Sequence, residues 1–248
     1  MGVVGIKPIS PASNTPNQIS TEFNLTSIHA QSEASLWRDL APLMRPKSVA
    51  VIGASQRAPA TGTTREPRGN RVIRNLRNFG YPGRIVAVNP KYSEVMDCPC
   101  YPDLAAIPEP IDCVVLAVPN RHVPDLLESA AAAGVRAGVV FSAGFAEIGV
   151  AGKQRQARLE ALSKERDFLI CGPNCYGVLN VFGKAPLFAS LIPQGFLAGP
   201  VALVSQSGGL STTIANALML NRHVGLSHIV SCGNQAGVTI EEYLNYFV

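Results

Sequence analysis

With 248 residues, 47% of them hydrophobic, the chain is long enough for one large or two small domains with a sizeable core. A net charge of +4 and an aromatic content of only 6% do not suggest the clustered basic face and base-stacking aromatics of a nucleic-acid binder, so no such partner is expected. No apolar run reaches the roughly 20 residues that span a bilayer. The N-terminus lacks the basic start and apolar core of a signal peptide, and no arginine precedes Arg38, so the expectation is a cytoplasmic protein with no membrane partner.

Residues 1–34 are rich in Ser, Thr, Asn, Pro and Gln without sustained periodicity and read as a disordered arm. Ser35 to Met44 has helical spacing behind a potential Ser cap, with Trp37 expected as a core anchor. Val49 to Ile52 then runs straight into Gly53-Ala54-Ser55, the pattern of a strand buried on both faces of a parallel sheet that turns toward a ligand. In such sheets ligands sit beyond the carboxyl ends of the strands, where small residues let a phosphate reach backbone N–H groups, so this turn is the first candidate site.

A loop punctuated by Pro and Gly follows, then a helix from Asn70 to Phe79. Arg68, Arg71, Arg74 and Arg77 recur every third residue and read as a solvated helix face, with Arg71 near enough to the helix start to attract phosphate. The second strand, Arg84 to Val88, leads into Asn89-Pro90-Lys91. A site for NAD usually carries an acidic residue at this strand end to receive the ribose hydroxyls; Lys91 instead suits a ribose that bears a phosphate, as in coenzyme A or NADP, or is a solvated surface lysine.

Cys98-Pro99-Cys100-Tyr101-Pro102 reads as a turn and Asp103 to Ile107 as a short helix. Strand Asp112–Val118 ends at Pro119 before a helix to Ala133, and strand Ala137–Phe141 opens into Ser142-Ala143-Gly144-Phe145. A polar helix over 152–166 and strand Phe168–Cys171 complete five β/α units, whose right-handed crossovers gather the small-residue turns on one edge of a parallel sheet. Gly172-Pro173-Asn174-Cys175 breaks the alternation, and Val178 to Leu197 reads as an irregular connection.

A new strand, Pro200 to Val204, ends in Ser205-Gln206-Ser207-Gly208-Gly209 before a helix to Asn221. Hydroxyls and glycines at that helix start make either an anion site or an ordinary Ser cap. Strand Leu226–Ser231 and a helix from Thr239 to Phe247 close the chain, a βαβα unit too small to bury both faces of its sheet and therefore expected to be the start of a larger domain. The organisation expected is an N-terminal arm (1–34), a Rossmann-like parallel-sheet domain (35–172), a connecting segment (173–199) and an incomplete flavodoxin-like domain (200–248). The six cysteines form no paired C-x-x-C units and read as buried reduced thiols, with no metal site expected.

Taken in order, Arg45-Pro46-Lys47-Ser48-Val49-Ala50-Val51-Ile52-Gly53-Ala54-Ser55, Tyr81-Pro82-Gly83-Arg84-Ile85, Val88-Asn89-Pro90-Lys91-Tyr92, Ala117-Val118-Pro119, Ser142-Ala143-Gly144-Phe145, Gly172-Pro173-Asn174-Cys175 and Val204-Ser205-Gln206-Ser207-Gly208 resemble the NDP-forming acyl-CoA synthetases and the α subunit of succinyl-CoA synthetase, from about Leu43 onward. The resemblance implies that Gly53, Ala54, Ser55 and Gln56 cradle a coenzyme A phosphate, that Lys91 faces its ADP end, and that Val118, Pro119, Ser142, Ala143 and Gly144 line the adenine and pantetheine path. It implies further that thioester and phosphate meet near Asn174, and that the helix after Ser205, Gln206, Ser207 and Gly208 holds the phosphate of a phosphohistidine.

The function implied is the CoA-binding part of an acid:CoA ligase, acting on CoA and a small carboxylic acid within an oligomer, with ATP and ADP handled by an ATP-grasp partner. Two departures stand out: residues 58–67 look like an insertion, and no His-Thr-Gly motif is present; His29, His122, His223 and His228 are not expected to be the nucleophile, and no catalytic residue is assigned. The alternatives are a non-catalytic CoA-sensing module and an NADP-linked oxidoreductase.

Overall fold

The computed structural model describes residues 37–56, 66–192, 197–221 and 224–248. The expectations for residues 1–34, for Ser35 as a cap, for most of the 58–67 insertion and for His223 lie outside them.

The chain forms two sheets. The first is seven-stranded, in the order β3-β4-β2-β1-β5-β6-β7. Here β1 is Ser48–Ile52, β2 Arg84–Val88, β3 Glu94–Val95, β4 Cys98–Tyr101, β5 Cys113–Leu116, β6 Ala137–Val140 and β7 Leu169–Cys171. Every pairing is parallel except β3 with β4. All five residues of β1 are buried, as its unbroken apolar run predicts. Successive residues alternate between two cores: Val49, Val51, Val115 and Val139 face one side, and Ala50, Ile52, Val114, Leu116 and Val140 the other.

The second side is covered by α3 (Val123–Ala132) and α4 (Val150–Arg166), which contribute Val123, Leu127, Ala130 and Leu159. Against the first side pack α1 (Ala41–Met44), α2 (Arg68–Asn78) and α6 (Ile240–Phe247), through Leu43, Met44, Val72, Leu76 and Tyr243. Those three helices lie between the first sheet and the second, whose Val178, Leu187 and Val230 share their core. Helix α6 starts where its sequence says it should: the Thr239 hydroxyl accepts the Glu242 N–H while the Glu242 carboxylate accepts the Thr239 N–H, a reciprocal cap.

The second sheet has the order β10-β11-β8-β9, with β8 Gly177–Asn180, β9 Ala185–Phe188, β10 Ala198–Ser205 and β11 Leu226–Ser231. Helix α5 (Gly208–Asn221) connects β10 to β11, and Ala215 joins Leu179, Phe188, Leu226 and Ile229 in a third core. The segment expected to be irregular is therefore largely a hairpin that pairs antiparallel with β11 and widens the expected two-strand sheet to four. Its turn is held by the Asn180 side chain, which accepts the Gly183 N–H at 2.8 Å and donates to the Met44 carbonyl at 3.1 Å. Pro186 is tolerated because β9 is an edge strand, where one side needs no N–H donor.

Three smaller expectations also change. The Cys98–Tyr101 stretch is a strand, not a turn, because Pro99 occupies a pair at the two-residue β3 ladder while Cys100 and Tyr101 pair with β2. Asp103 to Ile107 forms a turn in which the Asp103 carboxylate accepts the Ala106 N–H, and this local bond replaces the expected helix. Trp37 is 42% exposed, and Leu40, Leu43 and Met44 take the core positions assigned to it. All six cysteines are buried and unpaired, as expected. Among the described residues no helix is long and apolar enough to cross a membrane.

Candidate functional site

The chain crosses from one side of β1 to the other between β2 and β5, so the topological switch point lies beyond the carboxyl end of β1. Gly53 sits there with φ +99°, a region that L side chains rarely adopt, and a Cβ on it would stand 2.5 Å from the Ala117 carbonyl oxygen. A glycine is required for the β1 and β5 ends to approach this closely. Gly69 does the same from the helix side: a Cβ there would lie 2.7 Å from the Ala54 nitrogen, so α2 seats its first turn directly on the turn after β1. Asn70 then fixes that turn twice, accepting the Ser55 N–H at 2.9 Å and donating to the Ser55 carbonyl at 2.8 Å.

The other small-residue turns are tied to one another in a continuous row, and the Ala117 N–H joins that row to the end of β1 through the Ile52 carbonyl at 2.9 Å. The Ser142 hydroxyl donates to the Val118 carbonyl at 2.5 Å, and Asn120 donates to the Ala143 carbonyl at 2.9 Å. The Asn174 N–H reaches the Ser142 carbonyl, the Asn234 N–H reaches the Pro173 carbonyl, and the Gly233 N–H reaches the Gln206 carbonyl at 3.1 Å. Five turns from both sheets thus form one hydrogen-bonded edge, as right-handed crossovers require for the first sheet and as the β11 turn extends to the second.

Glu147 fastens the middle of this row. Its carboxylate accepts the Gly144 N–H at 2.6 Å and the Asn234 side-chain N–H at 2.7 Å, while Arg155 donates to the Gly144 carbonyl. Partial burial pushes the Glu147 carboxyl up, but the bonds from Asn234 and Gly144 outweigh it and hold the group below the usual carboxylate range.

Among the described residues, two cavities are walled by residues of these turns. The larger, about 940 Å³, is walled by Ile52, Gly53, Val88, Pro90, Val118, Pro119 and Leu126, with Asn89, Asp103, His122, Asp125 and Ser129 supplying polar groups. Its size and its apolar walls with a few polar points suit a nucleotide-sized organic ligand. The smaller, about 310 Å³, is lined by Arg68, Phe141, Ala143, Asn174, Tyr176 and the 206–209 turn.

Of the residues expected at the site, Gly53, Val118 and Pro119 line the first cavity and Ala143, Asn174, Gln206, Ser207 and Gly208 the second. Lys91 follows Pro90 of the first cavity's wall in sequence but is exposed and lines neither cavity, its backbone N–H bonded to the Asn89 side chain. Ala54, Ser55, Gln56, Ser142, Gly144 and Ser205 line neither cavity. Ala54 is fully buried, Gln56 reaches out to the Glu94 carbonyl, and the Ser205 hydroxyl accepts the Ser207 N–H and donates to the Ser207 carbonyl.

Sequence reasoning missed Asn70, Glu147 and the cavity role of Arg68 and His122. The placement of Asn70 directly after the helix glycine and the periodic set that includes Arg68 were the signals on offer. Among the described residues no three His, Cys, Asp or Glu side chains gather as a metal ion would require. His228, on β11, is buried, with both ring nitrogens unpartnered among the described residues.

Known proteins resemble this chain over most of its length. Residues 198–248 match the succinyl-CoA ligase like flavodoxin domain. A trans-feruloyl-CoA synthase from an unknown prokaryotic organism is 40% identical over 83% of this chain and 28% of its own length. The α subunit of the ADP-forming acetate–CoA ligase I of Pyrococcus furiosus is 36% identical over 84% of this chain and 44% of its own. The solved acetyl-coenzyme A synthetase 1 of Ca. Korarchaeum cryptofilum, in complex with phosphate and ADP, superposes with a TM-score of 0.75 at 31% identity, covering 84% of this chain and 42% of that one. The chain thus spans less than half the length of each of these relatives. Residues 47–181, more than half of the sequence and all of the larger cavity's wall, match the CoA binding domain family, and the chain belongs to that family.

Proposed function

We propose that this chain is the CoA-binding portion of an ADP-forming acid:CoA ligase. It works through acyl-phosphate and phosphohistidine intermediates and depends on an ATP-grasp partner for its phosphate. The observation that carries the reading is the continuous edge of turns, which sets a nucleotide-sized cavity at Gly53, Pro90, Val118 and Pro119 beside a smaller polar cavity at Asn174 and Ser207.

In this reading the ADP end of CoA occupies the larger cavity, with Lys91, next in sequence to Pro90 of its wall, to meet the ribose phosphate and the Gly53–Gln56 turn to meet the pyrophosphate. Ser142, Ala143 and Gly144 guide the pantetheine toward Asn174, and the start of α5, with Ser205, Gln206, Ser207 and Gly208, receives the phosphoryl group. Phosphoryl and acyl transfer of this kind rest on positioning and charge stabilisation, which fixed N–H groups supply without reorganising. The acid is a small carboxylate, and the names of relatives extend from acetate to an aromatic acid.

Calorimetry tests the reading. CoA should bind the chain, with dephospho-CoA and the Lys91→Glu variant each weaker by about tenfold, the worth of one charge-assisted contact. Absence of CoA binding would remove the reading; equal binding of CoA and dephospho-CoA would remove Lys91 from it.

A further inference from the structure

We propose that Arg68 is the anion-binding side chain of the smaller cavity, where it grips the phosphoryl group of the acyl phosphate. The inference rests on the ligase reading and adds to it a residue that the expected site lacked. Four arginines recur along α2, and their surroundings divide them. Arg74 pairs with Glu66 at 2.6 Å, Arg77 pairs with Asp97 at 3.1 Å, and Arg71 points to the Ala189 carbonyl at 3.4 Å.

Arg68 alone of the four reaches the cavity shared by Asn174, Tyr176, Gln206, Ser207 and Gly208, and among the described residues it is the one charged side chain in that wall. One guanidinium nitrogen donates to the Phe141 carbonyl at 3.2 Å, which fixes the side chain across the carboxyl end of β6. Among the described residues no carboxylate stands within ion-pair distance of it. The remaining N–H donors are therefore available to a ligand.

The placement of Arg68 also breaks a local rule. It is the first residue of α2, whose first turn contains no acidic residue, so a cation stands at the positive end of the helix dipole. Such a placement costs stability by itself and is offset when an anion lies between the cation and the opposing loop; departures of this kind concentrate at functional sites. A phosphoryl group fits that position, since a planar guanidinium matches its oxygens and the cavity's other donors among the described residues are neutral. When the CoA sulfur attacks the acyl carbon, the C–S bond forms and the C–O bond to phosphate breaks. The phosphate leaves with the electron pair and takes up the thiol proton, and Arg68 holds the charge that develops on it.

The test uses the full chain, labelled with 15N and saturated with CoA, titrated with inorganic phosphate while the amides of Asn174, Gly208 and Gly209 are followed by NMR. Phosphate should shift these amides; Arg68→Gln should raise its apparent Kd about five- to tenfold, with Arg68→Lys between the two. Unfolding by urea checks that each variant is folded. An unchanged Kd in Arg68→Gln, no shift in the parent chain, or equal shifts with acetate at the same ionic strength would overturn the proposal. If CoA itself does not bind, the ligase reading fails, and the same titration without CoA still decides the role of Arg68.

Discussion

The two sheets solve the problem of presenting turns to a ligand with unequal amounts of burial. β1 is buried at every residue between two apolar layers, whereas β10, of similar apolar sequence, is exposed or half-buried along its whole length and forms the edge of its sheet. Sequence alone does not distinguish the two, because Val49–Ile52 and Val201–Val204 are both short apolar runs ending in small residues. The difference comes from neighbours. β1 has a parallel strand on each side and helices on both faces, while β10 pairs with β11 alone. The Gly53 turn therefore sits on a rigid platform, and the Ser205–Gly209 turn on a part of the fold with fewer contacts to resist opening.

The largest expected effect probes that inequality directly. Leu116, on β5, is fully buried, and Leu116→Ala should cost about 2–5 kcal/mol in urea-induced unfolding. Leu203, on β10, is only partly buried against the third core, so Leu203→Ala should cost less than half as much. Equal losses would mean that the β10 region is as tightly integrated as β1, and the contrast would fail.

A smaller effect sharpens the contrast at the site. Asn70 is buried and clamps the Gly53–Gln56 turn through both of its amide groups, so Asn70→Ala removes two hydrogen bonds and leaves the Ser55 N–H and carbonyl without that partner. We expect CoA affinity to fall about tenfold, with a loss of stability of about 1–3 kcal/mol. Unchanged CoA affinity in a destabilised protein would show that the clamp serves the fold and not the ligand turn.

Asn70 also shows where sequence reading stops. The strand-to-turn passage at Gly53, the parallel pairing and the row of small-residue turns were legible, because burial on both faces and the need for backbone access each restrict residue type strongly. The β8–β9 hairpin was not, since Gly177, Gly183 and Pro186 are loop signals, and the strands exist because β11 offers a partner edge far along the chain. Glu147 was equally silent: its role depends on Asn234, 87 positions away, reaching the same carboxylate as Gly144. Arg68 was visible as part of a periodic set, and only its neighbours separate it from Arg74 and Arg77.

The smallest effect concerns the one buried polar side chain of the second sheet that finds no hydrogen bond among the described residues. The His228 ring lies 4.6 Å from the Phe247 ring, centre to centre, and edge-on to Tyr246. Burial, and secondarily the charge of Arg45, push its pKa below the ordinary value of 6.5. The sign follows from linkage. The folded protein keeps His228 neutral while the unfolded chain takes up a proton as the pH falls through about 6.5, so its contribution is complete above that pH and is lost as the pH drops toward the folded value. Glu242 titrates in a separate window. Burial raises its carboxyl, but the Arg38 guanidinium and the Thr239 N–H outweigh this and hold it below the usual range, so its contribution persists until the pH falls below about 4.3. Unfolding free energies measured from pH 7.5 down to 4 should therefore decline in the parent chain below about 6.5, and His228→Phe, which keeps the ring packing without the titratable nitrogens, should flatten that first decline and leave the acidic one in place. Parallel profiles for the two proteins would mean that the second sheet admits a proton and its water at no cost, and so is more open than the contrast with β1 requires.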